Sequence, residues 1–261
     1  MVEVSFAQLH GWLAALLWPM VRVTGLLLAG PLWGHSSVPN QVKVLFALLL
    51  AVVIVPTLPP MPEVPIVSWA GLGIMVEQLM IGVAMGLVVR VTLVVVQAAG
   101  EFIGLSMGLA FATFFSPDTG TQTMVLSRFL YMLTLLMFLA FNGHLMVLEV
   151  LAMSFQVLPV GTYGLNPDGF ELLVRYGGTI FVAGMLLALP VVGALLIISL
   201  SLGVLNRSAP QLTVFNIGFP TSLTVGLLLL TVLMTDLGAF LQRIFSQGIA
   251  TLEQLLMALA G

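Results

Sequence analysis

The chain has 261 residues, of which 60% are hydrophobic and only 7% are charged. A soluble globular domain has about 25% charged residues, so seven basic and ten acidic side chains are too few to cover a water-soluble surface of this size. These numbers exclude a soluble enzyme and place most of the chain in lipid or against other apolar protein. The net charge of −3 offers no basic surface for nucleic acid, and the absence of cysteine excludes disulfides and thiolate metal sites.

Two apolar segments open the chain, at residues 12–33 and 42–55. The stretch 56–65 contains five prolines and predicts a loop. No lysine or arginine precedes Arg22, whereas a cleavable signal peptide needs a positively charged start. We therefore expect the first helix to remain in the mature protein.

The third apolar segment, residues 68–115, is too long for one ordinary membrane span. As a continuous helix it would be roughly 70 Å long, because each residue adds about 1.5 Å. The hydrocarbon core of a bilayer is only about 30 Å thick. We expect this segment either to break into two helices or to extend well beyond a flat bilayer.

One face of this segment is predicted to carry small and polar side chains. On a helix of about 3.6 residues per turn, six residues lie within about 40° of one line: Gly86, Arg90, Gln97, Glu101, Gly104 and Gly108. Gly100, Gly104 and Gly108 would let another backbone approach closely. Arg90 and Glu101 need partners or water in apolar surroundings. The face is therefore either a packing seam inside a helix bundle or a surface toward another subunit or a wet pore.

The end of the same segment carries Phe111, Phe114 and Phe115 on one side of the predicted helix. Pro117 ends the helix, and a flexible continuation follows around Gly120. The three rings either anchor the helix end in apolar packing or form an aromatic constriction, since apolar constrictions gate pores by dewetting. The sequence alone favours packing, because phenylalanine is abundant in this chain.

Three further apolar segments follow, at residues 124–158, 176–205 and 221–241. Residues 159–171 predict a loop, and the tail after Asp236 is amphipathic. Apolar runs of about 20 residues are candidate transmembrane helices, and these runs lack the alternation of membrane strands. The prediction is an all-α, polytopic membrane protein with six spans, in one domain without internal repeats.

Ionisable side chains inside apolar segments are functional candidates by default, and here they include Arg22, Glu77 and Glu149. Ion pairs between helices or subunits explain them as well as a proton path does. The chain has no phosphate-binding loop around Lys43, no H-E-x-x-H sequence and no G-x-S-x-G sequence. We therefore predict no catalytic residue, cofactor or metal.

Five short motifs in the chain are distinctive. They are Gly108-Leu109-Ala110-Phe111-Ala112, Phe141-Asn142-Gly143-His144, Leu187-Ala188-Leu189-Pro190, Leu205-Asn206-Arg207-Ser208-Ala209-Pro210-Gln211-Leu212 and Phe215-Asn216-Ile217-Gly218-Phe219-Pro220. Together they closely resemble the FliR family, the export-gate proteins of the bacterial flagellar type III secretion system. The resemblance runs from the first segment nearly to the C-terminus. Gly218-Phe219-Pro220 favours the flagellar branch over the related injectisome proteins.

The resemblance implies a structural and gating subunit that catalyses no reaction. Members of the family assemble with FliP and FliQ into a helical gate through which unfolded flagellar proteins pass, with FlhB and FlhA as further partners. The implied location is the bacterial inner membrane at the flagellar basal body. The gate can be displaced toward the periplasm, so its helices need not span the bilayer conventionally. Residues 1–175 would resemble FliP, and residues 176–261 would resemble a FliQ hairpin.

Two sets of functional residues are predicted. A plug loop that holds the family's gate closed maps by position onto residues 111–122. The predicted gate residues are therefore Phe111, Phe114, Phe115, Pro117 and Gly120. The predicted subunit or helix interface comprises Arg90, Gln97, Glu101, Gly104, Gly108, Arg207, Pro210 and Gln211.

A proton-coupled or small-solute secondary transporter is the alternative function. Such transporters often contain two related halves with broken helices at corresponding positions. Residues 1–130 and 131–261 show no such correspondence. An intramembrane enzyme is a third class, and the sequence lacks the nucleophile–base pair or metal-ligand cluster that it would need.

Overall fold

Long apolar runs fold as helices because a helix satisfies its own backbone hydrogen bonds without water. The computed structural model describes residues 6–59, 61–62, 64–110, 125–161, 164–208 and 217–261, with the side chains of residues 6–10 and 208 left undescribed. Within these ranges the chain forms α-helices and one short 3-10 helix, and no strand. The predicted all-α, polytopic class is confirmed.

The helices follow the predicted apolar segments. In chain order they are α1 (Phe6–Ala29), α2 (Asn40–Ile54), the 3-10 helix Val55–Thr57, α3 (Trp69–Ser106), α4 (Val125–Ala140), α5 (Gly143–Val157), α6 (Pro167–Gly177), α7 (Thr179–Ser208) and α8 (Phe219–Ala260). In this part of the chain, five helices are long and apolar enough to cross a membrane. The number is six if the bent pair α4 and α5 forms one span.

Helix α3 runs unbroken for 38 residues. At about 1.5 Å per residue it is about 57 Å long, nearly twice the thickness of a hydrocarbon core. Of the two expected outcomes, the structure shows the unbroken helix. No proline interrupts it, and its glycines are spaced so that neighbouring helices pack against them.

Helix α8 is the longest helix among the described residues, with 42 residues. It continues from the predicted span 221–241 through the amphipathic tail without a break. The buried apolar positions Leu237, Leu241 and Leu252 keep the helical period across this junction. Since no proline follows Pro220 within α8, nothing in the sequence ends the helix earlier.

The predicted segment 124–158 is divided into α4 and α5 by a bend of 65°. Asn142 lies at the bend with φ 57, in the left-handed region, and precedes the first residue of α5. The backbone N–H of Leu145 donates to the carbonyl of Asn142 at 2.9 Å, which starts the new helix. Asparagine tolerates this backbone conformation better than most residues, so the break falls there.

Helix α6 corrects the prediction of a loop over residues 159–171. The side-chain oxygen of Asn166 accepts a hydrogen bond from the N–H of Asp168 at 3.0 Å, which caps the helix. Pro167 follows as the first helical residue, where its missing N–H costs nothing. Arg175 and Glu171 form an exposed ion pair of 2.6 Å one turn apart. Asn166 and Pro167, which are typical of loops, here cap and start a helix.

Contacts within the chain define two compact units. Unit 1 comprises Met1–Val91, Asn142–Gly177 and Phe245–Gly261, and unit 2 comprises Thr92–Phe141 and Gly178–Ile244. The expected likeness of residues 1–175 to FliP and of residues 176–261 to a FliQ hairpin stays a prediction.

In unit 1, α1 and α3 cross with their backbones in direct contact. A Cβ atom added to Gly25 would lie 2.7 Å from the carbonyl oxygen of Leu79, and one added to Gly82 would collide with the carbonyl of Arg22. A Cβ atom added to Gly86 would lie 2.7 Å from the Cβ of Ala29. This close approach carries Arg22 into the interior of unit 1.

In unit 2, α3 again packs through small residues. A Cβ atom added to Gly100 would lie 2.6 Å from the Cα of Ser127 in α4. Gly184 of α7 is similarly close to α3, with its added Cβ 3.0 Å from the carbonyl oxygen of Val95. The same helix therefore supplies glycine and backbone contacts in both units.

Candidate subunit interface and gating segment

The predicted polar face of α3 has both covered and uncovered positions. Gly104 is buried, Gln97 is half-buried and Arg90 is exposed. No described residue gives Arg90 a hydrogen bond or an ion pair. Arg90 therefore offers an unpaired guanidinium on a helix that otherwise presents mostly apolar side chains.

Glu101 has a partner within the chain. Its Oε1 atom accepts a hydrogen bond of 3.3 Å from the hydroxyl of Ser127 in α4. Gly100, the preceding residue, brings the two helix backbones together at this point. The face is a packing seam against α1 at Gly86 in unit 1, and a packing seam against α4 at Glu101 in unit 2. Whether Arg90 and Gln97 meet another subunit stays a prediction.

Gly108 ends α3 in a Schellman motif. Its φ is 80, in the left-handed region that favours glycine. The N–H of Leu109 donates to the carbonyl of Gly104 at 3.0 Å, and the N–H of Gly108 donates to the carbonyl of Leu105 at 3.0 Å. The sequence pattern had suggested a packing role for Gly108, and the structure gives it the role of helix terminator. This end of α3 lies three residues before Phe111.

The predicted gate residues Phe111, Phe114, Phe115, Pro117 and Gly120 lie outside the described residues. So do Pro210 and Gln211 of the predicted interface. Arg207 is described and exposed in the last turn of α7. Its position there is favourable, because the guanidinium lies near the negative end of the helix dipole.

Arg22 is the most completely buried charged side chain among the described residues, with 0% exposure. Its Nε donates to Oε1 of Gln78 in α3 at 2.8 Å. Its two terminal nitrogens donate to the hydroxyl of Ser154 at 2.9 Å and to the carbonyl of Leu158 at 2.7 Å. The guanidinium also lies 4.1 Å from the centroid of the Phe155 ring. One side chain thus joins α1, α3 and the end of α5 within unit 1.

The charge of Arg22 is stabilised without a carboxylate in contact, since the described residues contain no ion pair to it within 4.0 Å. Three charge-assisted hydrogen bonds, the face of an aromatic ring and the C-terminal end of α5 replace water around the guanidinium. Ser154 completes the arrangement, because its hydroxyl accepts from Arg22 and donates to the carbonyl of Leu151 at 2.6 Å. A buried charge is tolerated only when it is hydrogen-bonded in this way.

Two buried donors near this cluster have no hydrogen-bond partner among the described residues: Nε1 of Trp18, one turn before Arg22, and Nε2 of Gln78. No group of three His, Asp or Glu side chains in the described ranges is placed to hold a metal ion. What the structure shows here is a set of three hydrogen bonds from one guanidinium that connect α1, α3 and the end of α5.

Comparison with known proteins decides the family. The sequence profile described as "Bacterial export proteins, family 1" matches residues 13–248. The flagellar biosynthetic protein FliR of Escherichia coli is 42% identical over 247 residues, covering 95% of this chain and 94% of that protein. The chain belongs to the FliR family of bacterial export proteins. The resemblance seen in the motifs is thereby confirmed.

Other members of the FliR family match over nearly the whole chain. FliR of Pectobacterium carotovorum subsp. carotovorum is 41% identical over 260 residues, covering 100% of this chain and 99% of that protein. FliR of Bacillus subtilis is 30% identical over 251 residues, covering 95% and 96%. Family membership and the long apolar helices together support a membrane location.

The sequence pointed to Arg22 but not to its partners. Gln78 and Ser154 are neutral, and their contacts with Arg22 span 56 and 132 residues of sequence. Their polar side chains inside apolar segments were the available signal. Ion pairs are one expectation for Arg22; among the described residues its hydrogen bonds go to neutral acceptors, and the carboxylate of Glu77 acts on it only from beyond 4.0 Å.

We expect Arg22→Lys to destabilise the protein, because one ammonium group cannot reach acceptors on α3 and α5 together. Hydrogen bonds to charged groups contribute about 1.5–3 kcal/mol each, so losing two would cost about 3 kcal/mol or more. The measurement is the thermal midpoint of the detergent-solubilised protein and its amount in membranes. Arg243→Lys, at an exposed position of α8, is the control and should change neither. Equal behaviour of the two variants would contradict the role given to Arg22.

We expect Gly108→Ala to weaken the end of α3, since a left-handed backbone costs a residue with a Cβ about 1–2 kcal/mol. Gly108→Asn should cost less, because asparagine is the other residue common at this position. Gly193→Ala in α7 is the control, as its added Cβ meets nothing within 4 Å; it should be neutral or stabilising by up to about 1 kcal/mol. Thermal midpoints of the purified variants test this order, and an unaffected Gly108→Ala would refute the capping role.

Proposed function

We propose that this chain is a structural and gating subunit of the flagellar protein-export gate, assembling with FliP and FliQ. The observation that carries the proposal is the match to the export family over residues 13–248, together with full-length FliR relatives. Unfolded flagellar proteins are the substrates that pass through such a gate. The location that follows is the inner membrane at the flagellar basal body, with FlhB and FlhA as further partners.

The structure supports the gating part of the proposal at the end of α3. The Schellman motif at Gly108 ends the helix at a defined residue. The proposed gating segment, residues 111–122, begins three residues after Gly108 in the sequence. Phe111, Phe114 and Phe115 would close the pore by apolar packing, which excludes water and ions, and would separate when a substrate enters.

Arg90 supports the assembly part of the proposal. The side chain is exposed on α3 and has no partner among the described residues, although a charge on an apolar helix needs one. A carboxylate or a helix C-terminus of a neighbouring subunit would satisfy it. We propose the same interface role for Gln97, which is half-buried on α3, and for Arg207, which is exposed on α7.

Deletion of residues 112–120 tests the gate. We expect the assembled complex to leak ions in the closed state, because the apolar seal would be missing, and motility to fall. Ion conductance of the purified complex in planar bilayers is the measurement. The triple variant Phe111→Ala, Phe114→Ala and Phe115→Ala keeps the length of the segment and should leak in the same direction. If both variants form an intact complex with unchanged conductance, residues 111–122 are not the plug.

Arg90→Ala tests the assembly. We expect the amount of FliP and FliQ that co-purifies with the chain to fall several-fold, because an interfacial charge would lose its partner. Arg243→Ala, which removes another exposed arginine, is the matched control and should leave co-purification unchanged. Full recovery of both partners with Arg90→Ala would place Arg90 outside the interface.

A further inference from the structure

The exposed side chains of α8 change character along the helix. Before Thr235 the exposed positions are largely apolar, as at Leu227, Leu228 and Val232. From Asp236 onward they are largely polar or charged. We call six of them the α8 polar stripe: Asp236, Gln242, Arg243, Gln247, Glu253 and Gln254. They occupy one side of the helix, within an arc of about 140° at 3.6 residues per turn.

The opposite side of the same stretch is buried and apolar. Leu237 and Leu241 are buried within unit 2, and Leu252, Leu255 and Leu256 within unit 1. Buried apolar positions recur with the helical period over more than 20 residues, as in an amphipathic helix. The same side also exposes Ser246 and the apolar residues Ala239, Ala250 and Met257, so the stripe is predominantly polar and not uniformly so.

Helix length offers one explanation of the stripe. At about 1.5 Å per residue, α8 is about 63 Å long, whereas the hydrocarbon core is about 30 Å thick. A helix that entered the core near Phe219 would leave it about 20 residues later, close to Asp236. On this account the stripe would simply lie beyond the membrane, and every neighbouring surface at its level would be polar too.

The packing of unit 2 does not fit that account at the level of Gln242 and Arg243. Val95, Ala183 and Ile244 form one buried cluster, which fixes α7 near Ala183 and α8 near Ile244 at the same level. Beside Ala183, the α7 residues Phe181 and Val182 are 68% and 64% exposed. One or two residues before Ile244, α8 exposes Gln242 and Arg243. At a single level, one helix presents apolar side chains and the other presents polar and charged ones.

A uniform surrounding cannot suit both surfaces. In hydrocarbon, the guanidinium of Arg243 would cost several kcal/mol (about 2.5–3.5 on insertion scales), and in water the large apolar face of α7 would stay uncovered. No described residue forms an ion pair with Asp236, Arg243 or Glu253; the one hydrogen bond of Arg243 is to the carbonyl of Ala239 in its own helix, at 3.4 Å. These three charges therefore need water or polar groups from outside the chain.

We propose that the α8 polar stripe faces a water-filled space, at the same level at which α7 faces apolar surroundings. The chain then acts as a wall between a hydrated and an apolar environment. This inference goes beyond the proposed gating role, because it concerns the outer surface of α8 and holds whether or not residues 111–122 form the plug.

The absence of cysteine from the chain makes a direct test possible. Single variants Gln242→Cys, Gln247→Cys and Gln254→Cys report on the stripe. Val182→Cys and Leu186→Cys, both at exposed positions of α7, are matched controls. Cells that make the full export complex are converted to spheroplasts or to inverted vesicles. Both preparations are treated with a membrane-impermeant, sulfonated maleimide. The total amount of cysteine thiol in each sample is measured separately after the protein is denatured.

We expect the stripe cysteines to react at least ten times faster than the α7 cysteines, from one side of the membrane or the other. Only variants that keep wild-type amounts of complex are compared, so misfolding does not enter the ratio. Stripe cysteines that react as slowly as Val182→Cys from both sides would overturn the proposal. Rapid labelling in the isolated chain but not in the complex would also overturn it, since a partner protein would then cover the stripe.

The test is separable from the test of the gate. Deleting residues 112–120 in the Gln247→Cys variant should leave the labelling rate unchanged, whatever it does to ion conductance. If the stripe labels quickly while the deletion causes no leakage, the gating proposal fails and the hydrated surface of α8 stands.

Discussion

Close backbone contact along α3 is the constraint on which the rest of the structure depends. In an apolar environment, helices gain little from burying apolar surface, so association relies on van der Waals packing and interhelical hydrogen bonds. Gly82 and Gly86 bring α1 onto α3 in unit 1, and Gly100 brings α4 onto α3 in unit 2. Small residues on α3 thus allow close helix packing inside each unit.

The Arg22 cluster depends on that contact. Because Gly82 lets α3 touch the backbone of Arg22, the guanidinium enters the interior at a fixed depth and meets Gln78. Neutral acceptors and the Phe155 ring then stabilise the charge with no carboxylate in contact. Such a joint is specific in geometry, since a planar guanidinium with several donors binds three acceptors that an ammonium cannot reach together. It orders α1, α3 and α5 within unit 1.

The sequence predicted the helices well where an apolar run decides the fold. The sequence prediction failed where a single residue decides the local structure. Asn142 breaks a continuous apolar segment through its left-handed backbone. Asn166 and Pro167 start α6 inside an expected loop. Helical periodicity placed Gly108 on a packing face, but a pattern does not reveal the backbone angle that makes it a terminator. The partners of Arg22 were beyond prediction, because they are neutral and distant in sequence.

The low charge content takes on a different meaning once the charges are placed. A composition with 7% charged residues suggests apolar surroundings on every side, and α7 fits that description from Phe181 to Leu205. Two sets of described charges differ in their surroundings: Arg22 is satisfied inside unit 1, while Asp236, Arg243 and Glu253 share one side of α8. Three charges on one helical face, opposite a buried apolar side, support the proposal that this face meets water. The overall composition therefore reflects the apolar surface of α7, but it does not reveal the hydrated surface that we propose for α8.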